Sequence, residues 1–494
     1  ASIGGNRGTL LFNNADTIKI TGTVGATGTL KALEFAGAGN VIFEGAVTTP
    51  VASTYTFKEG AGAISVTLDT TLAGVSAMEN VFVNNSEATP NIILSAGTTT
   101  FQGGAKLAQD GNAINFVIND GKNVEVNVTD AKNANFITKA KNKGNLTLNA
   151  KGLTINSVGE VDKHVNNFAL SQDATVTNGV YANEISINSP AAAGTVVATL
   201  GGKIVANNLT LLGDTSTLQL KNNVILDTNI LASVSNLGIV NFEGNATLNK
   251  EFGTLAEKVK EVNFADDAKF TVNLNKDIHA TTINMNKSTI KLNSSPRNLE
   301  ATNVNAQGTT FDLGLNALTT GGTLSFSGEN VMMLSIDESF NYGSIQVTQG
   351  GTLEFTEGTK LTIKPTDTIS TPDLGETKII KLIDNASGKA VVGGLNLDNI
   401  DIDALNLETY TKWTKDVDKD TGSAILSGVS NAKKKMLEQL GSQANNADKD
   451  NAGKIGAALK NTSAGIFRDN VLQKVSAEKV QEAYKRISPT AVVA

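Results

Sequence analysis

Val124-Glu125-Val126-Asn127-Val128 alternates an aliphatic with a polar residue at every step. Successive side chains of an extended chain point to opposite faces, so this phrase reads as a strand with one face buried and one face wet. The same short phrase recurs from the start of the chain to about residue 428, as in Leu33-Glu34-Phe35, Val41-Ile42-Phe43, Leu146-Thr147-Leu148, Ile185-Ser186-Ile187 and Leu324-Ser325-Phe326. Gly37, Gly45, Asn149, Asn188 and Gly328 close these phrases as turn residues. Two pairs are nearly verbatim: Val41-Ile42-Phe43-Glu44-Gly45 with Val240-Asn241-Phe242-Glu243-Gly244, and Leu324-Ser325-Phe326-Ser327-Gly328 with Leu353-Glu354-Phe355-Thr356-Glu357-Gly358.

Many short strands closed by small corners predict an all-β chain wound as a right-handed parallel β-helix. Hairpins need Asn-Gly, Asp-Gly or Gly-Gly between paired strands. Asp110-Gly111, Asn178-Gly179 and Gly201-Gly202 are too few to join so many strands. Corners such as Gly37-Ala38-Gly39-Asn40 are expected to use the positive φ that Gly and Asn tolerate, with stacked asparagines laddering their amides along the axis. Rungs of about 20 to 25 residues give roughly 18 rungs, and a rod of nearly 90 Å at about 4.8 Å per strand. An array of antiparallel sandwiches is the alternative.

Composition fits a stacked core. The 494 residues hold 47 Gly, 7 Pro, 1 Trp and no Cys, and 40% are hydrophobic. That is too apolar for a disordered chain, and the scarce proline excludes collagen. A compact core stops growing at roughly 250 to 300 residues, a limit that stacked rungs escape. The net charge is −7. No basic groove with interleaved aromatics exists, so nucleic acid is not an expected partner. The missing cysteines are compatible with export through an oxidising compartment. Ala1-Ser2-Ile3-Gly4-Gly5 does not read as a leader, so any export signal is expected to have been removed or to lie upstream. No apolar run is long enough for a spanning helix.

The texture changes along the chain, and three regions are expected: 1–373 as the rod, 374–430 as a terminal β-region capping it, and 431–494 as amphipathic helices. The second opens with the denser Thr377-Lys378-Ile379-Ile380-Lys381-Leu382-Ile383 and carries the single Trp413. In the third, Val480, Ala483, Tyr484 and Ile487 fall on one helical face, with Ser476 as N-cap and Pro489 as stop.

This order of rod, dense β-region and helices resembles the passenger and pre-barrel region of bacterial autotransporters. Gly375-Glu376-Thr377-Lys378-Ile379-Ile380-Lys381-Leu382-Ile383-Asp384 looks like the strand found late in such passengers, and Arg486-Ile487-Ser488-Pro489-Thr490-Ala491 like the phrase that precedes their barrel. The phrasing of Leu209-Thr210-Leu211 and Val240-Asn241-Phe242-Glu243-Gly244-Asn245 most resembles the rickettsial surface cell antigens of the outer-membrane protein A and B type. The resemblance implies export through a C-terminal translocator barrel, display or release at the bacterial surface, and contact with a host-cell receptor protein or glycan in adhesion and invasion. No ten-residue alternating strands of a barrel follow residue 430.

His164 and His279 lack a serine elbow to act on and read as surface or corner residues. Gly213-Asp214-Thr215-Ser216 departs from a serine-protease phrase at its third and fourth places and reads as a corner. Asp416-Val417-Asp418-Lys419-Asp420-Thr421-Gly422 alternates carboxylates like a calcium loop, but lacks Gly at Thr421 and Glu at Ser427, so a solvated turn is expected. Asp398, Asp401 and Asp403 are spaced similarly and read as the wet face of a strand and its turn. No catalytic, cofactor-binding or metal-binding residue is assigned, no cofactor is expected, and no enzyme activity. A structural surface-layer protein and a β-helical carbohydrate-active enzyme are the alternatives. Specificity is expected in longer loops, with Ser86 to Thr98 and Lys139 to Lys143 as candidates.

Overall fold

The computed structural model describes residues 8–21, 30–43, 52–62, 64–68, 77–78, 81–95, 97–188, 195–264, 266–293, 297–337, 341–365, 377–387, 389, 391–393, 397–402, 412–418 and 423–429. The expected helices of 431–494 lie outside them, as do Asp403 and residues 419–422. The backbone divides into two compact units, Ala1–Asn284 and Met285–Ala494.

The first unit is an all-β solenoid. Its strands pair in parallel with strands one rung away, never with their chain neighbours in hairpins, among the described strand pairs. Each rung between about 174 and 248 contributes three strand segments. Val196–Leu200 supplies one, and the long strand Lys203–Leu211 supplies two by bending where its register against Val224–Ala232 shifts between Val205 and Asn208.

Register explains why the aliphatic phrase repeats. Val158, Val180, Ile204, Leu226, Leu248 and Leu274 stand over one another on six rungs, and all are buried. Phe101, Val126, Leu148, Leu170, Ile187, Leu211 and Ala232 form a second inward column. Each buried side chain of this size contributes about 1.5 to 3 kcal/mol, and the neighbours above and below supply the walls of its site. Aromatic rings follow the same rule: Phe35 stacks on Phe57 at 5.0 Å, Phe116 on Phe136 at 5.4 Å, and Phe242 on Phe264 at 5.0 Å.

The outward residues also form columns. Asn115 donates to Asn91 Oδ1 at 3.0 Å, Asn135 to Asn115 at 2.9 Å, Asn156 to Asn135 at 2.7 Å, and Asn178 to Asn156. Further rows join Asn145 to Asn123, Asn275 to Asn249, and Asn284 to Asn263 to Asn241. The expected amide ladders therefore exist. They sit on strand faces and bends as well as at corners.

The corner Gly37-Ala38-Gly39-Asn40 differs from expectation. Neither glycine has positive φ. A Cβ on Gly37 would run into the backbone of Asn14, and one on Gly39 into Asp16, so close packing against the previous rung is what demands glycine there. Positive φ occurs instead at Gly121, Gly159, Gly202 and Asn142, among others.

The second unit starts with the same architecture and then loosens. Leu324 stands over Leu353 and Phe326 over Phe355, the rings 5.4 Å apart, so this near-verbatim repeat marks adjacent rungs. Steps grow from 20 residues between Asn303 and Thr323 to 29 between Thr323 and Thr352 and 38 between Ile345 and Ile383. With rungs this long, eighteen is too many for the chain.

The region expected to be terminal changes its pairing. Thr377–Asn385 continues the parallel ladder on Ser344–Val347, but its other edge pairs antiparallel with Ala424–Val429, which pairs antiparallel with Lys412–Val417. A register shift between Lys381 and Ile383 lets Leu382 and Ile383 both turn inward, while Ile379 is exposed.

Candidate functional site

The hydroxyl, imidazole and carboxylate groups singled out in the sequence lie at separate corners and strands. Ser216 is fully buried; its Oγ accepts from the Gly213 N–H at 3.0 Å and donates to the Ile187 carbonyl at 3.1 Å, so it ties a corner together. Asp214 is exposed on that corner and pairs with Lys260 at 2.8 Å. His279 lies half-buried on the strand Ile278–Asn286, and its buried Nδ1 has no hydrogen-bond partner. Asp398 and Asp401 are exposed on a 3-10 turn and the strand Ile400–Ile402, and Asp416 is exposed on Lys412–Val417. Among the described residues no three His, Cys, Asp or Glu side chains are grouped to hold a metal ion.

Ser86 to Thr98 is not a loop. The strand Asn91–Leu94 crosses it, pairs with Ser65–Leu68 and with Ile114–Ile118, and buries Ile92 and Leu94. Asn91-Ile92-Ile93-Leu94 is itself an alternating phrase, obscured in the sequence by Pro90 and the polar residues before it.

Lys139 to Lys143 does form a corner. The strand Asp130–Thr138 ends at Thr138, residues 139–142 turn, and Lys143 opens the next strand. Asn142 takes φ +58, a conformation asparagine tolerates. Thr138, fully buried, anchors the turn by donating to the carbonyls of Ala140 (2.8 Å) and His164 (3.2 Å). The Asn142 N–H donates to the His164 carbonyl at 2.8 Å, which sets the next corner beside this one.

That next corner is the tight turn Glu160-Val161-Asp162-Lys163, closed by Lys163 N–H to Glu160 O at 3.0 Å and by the Lys163–Glu160 ion pair at 3.1 Å. Val161 stands 66% exposed at its tip. His164 closes this corner, as one of the two placements expected for it, but is buried there, with Nε2 2.8 Å from the Val161 carbonyl. Burial pushes its pKa below the ordinary histidine value, with Lys141 adding to the effect and the Val161 contact and Asp162 opposing it. On the following rung Tyr181 places its ring 5.9 Å from that of His164. Gly159, at φ +66, makes this approach possible, because a Cβ there would strike the Tyr181 carbonyl.

The corner is distinguished by its charges. Elsewhere lysines pair across rungs: Lys58 with Glu34 at 2.9 Å, Lys203 with Asp227 at 2.7 Å, and Lys221 with Glu243 at 2.6 Å. Lys139 and Lys141 are exposed, and no described carboxylate lies within ion-pair distance of either. Lys143 reaches only Asp120, at 3.8 Å.

No protein-family model and no curated protein matches the chain. A search of solved structures finds the crystal structure of the Haemophilus influenzae Hap adhesin, at 13% identity and a TM-score of 0.31. The match covers 86% of this chain and 57% of that one.

Proposed function

We propose that this chain is the exported passenger of a bacterial autotransporter of the rickettsial surface-antigen type, a right-handed solenoid displayed outside the cell as an adhesive contact surface toward host cells, and that it is not an enzyme. The observation that carries the reading is the columnar order of the outward side chains, set beside the sequence phrases that resemble such passengers. Each rung repeats a few polar groups at nearly the same place, and weak contacts repeated along one surface add as multivalent binding. Parallel strand crossovers are right-handed in about 98% of cases, which supports the assigned hand. The antiparallel strands Ala424–Val429 and Lys412–Val417 are suited to capping, since they cover the edge of Thr377–Asn385 that a further rung would otherwise occupy.

The test is attachment of the purified chain to cultured host cells, for the intact chain and for one with the corners 139–142 and 160–163 shortened to Gly-Asn links. Saturable binding that falls on shortening supports the reading. No saturable binding by the intact chain overturns it. Sedimentation separates a lateral surface-layer role, which requires concentration-dependent assembly into arrays.

A further inference from the structure

We propose that the corner built from residues 139–143, His164 and Tyr181 is a binding site for a linear sulfated polysaccharide. This deepens the adhesive reading and rests on it. Three kinds of group meet here on consecutive rungs. Lys139 and Lys141 offer ammonium groups that no described carboxylate engages, and Lys143 offers one held loosely at 3.8 Å from Asp120. Tyr181 offers a half-buried aromatic ring, held by its contact with His164 and by the close approach over Gly159. The exposed tip Val161 forms the rim.

A sulfated sugar chain matches both components. Its sulfates are fixed anions spaced along a linear backbone, and its pyranose faces carry C–H groups that stack on an aromatic ring. Rungs lie about 4.8 Å apart, so a chain running across them meets a new corner at roughly every sugar residue. The acids facing the corner are Asp120, Glu160 and Asp162. Glu160 is neutralised by Lys163 and Asp120 faces Lys143, so Asp162 is the one carboxylate there without an ion-pair partner. The corner stays cationic on a chain whose net charge is −7. His164 is buried and its pKa is lowered, so it serves as the support behind Tyr181. A nucleic acid would present regular phosphates too, but the corner has one aromatic ring where a strand of bases needs a series.

The experiment measures binding of the whole chain to immobilised heparin, with unsulfated heparosan and a single-stranded DNA oligonucleotide as parallel ligands. The expected result is salt-sensitive binding to heparin, weaker by at least about tenfold for heparosan and for K139E/K141E. K139Q/K141Q should fall between the wild type and the charge-reversed variant. Tyr181→Ala should weaken binding with little change in its salt dependence, because it removes stacking and no charge. Lys58→Glu, a reversal elsewhere on the unit, should bind as the wild type does. Circular dichroism confirms that each variant is folded. Absence of wild-type binding, unchanged binding by K139E/K141E, or equal binding to heparosan or DNA overturns the proposal. If heparin binding fails while cell attachment persists, the glycan assignment falls and the adhesive reading stands; heparin binding without cell attachment leaves the site and removes that reading.

Discussion

The middle of the first unit and the end of the second are built from the same phrases yet keep different order. Along the column from Val158 to Leu274 the steps are 22 to 26 residues, and asparagine repeatedly finds asparagine one rung away. Past Thr323 the steps lengthen to 29 and 38, and the outward contacts become Ser325 with Glu354 at 2.9 Å and Lys360 with Glu329 at 2.8 Å. The inward columns survive in both regions: Leu324 over Leu353 is as well buried as Ile204 over Leu226. Apolar burial is non-directional and tolerates uneven rungs. An amide ladder needs donor and acceptor within about 3 Å on every rung, so it marks where the period is even.

That contrast can be broken first at the core. Leu226→Ala should cost about 2 to 5 kcal/mol, measured by urea unfolding, because Ile204 and Leu248 hold the cavity open from either side. A loss under about 1 kcal/mol would mean that the columns are loosely packed. Next in size is Gly159→Ala, expected to cost about 1 to 3 kcal/mol through positive φ and collision with Tyr181. Gly121→Ala, at φ +69 with open space around it, isolates the backbone part at about 1 kcal/mol.

Asn135→Ala probes the ladder. Asn135 donates to Asn115 and accepts from Asn156 at 2.7 Å and Ser157 at 2.9 Å, so about 1 to 2 kcal/mol should be lost. A neutral result would demote the ladders from structural to incidental.

The smallest effects are electrostatic. The pKa of His164 is lowered in the fold, so the unfolded chain binds the proton first, and stability should decline as pH falls through 6.5 toward the native value. His164→Asn should flatten that decline in thermal melts. Asp227 acts at lower pH: burial opposes its charge, but hydrogen bonds from Lys203 and Asn249 outweigh this and lower its pKa. Its contribution is present above the ordinary carboxylate range and lost as pH drops through the native value. Glu329→Gln, on an exposed pair, should leave the melt unchanged within error.

Alternation made the solenoid legible, because burying one face of a strand forces period two whatever the rung length. The inward set followed directly: Leu33, Val126, Leu148 and Ile187 are all buried. Which residues become neighbours across rungs was not legible. Asn167 stands opposite Glu184, a step of 17, and this short rung brings Tyr181 beside His164. Nothing local to either residue announces it. The glycines of 37–40 were legible as a corner but not for the reason they are needed, since closeness to Asn14 depends on a rung more than twenty residues earlier. Lys139-Ala140-Lys141 showed its charge openly; what distinguishes it, that no described carboxylate comes within ion-pair distance of Lys139 or Lys141, is a property of its neighbours in space.

The amide rows have a direction. In each asparagine pair described, the residue from the later rung gives the N–H and the one from the earlier rung receives it. A finished rung therefore offers carbonyl oxygens to whatever is laid down after it and amide hydrogens to whatever preceded it. The two ends of such a row are chemically unlike, so a head-to-tail meeting of rows is satisfied where head-to-head would oppose like with like.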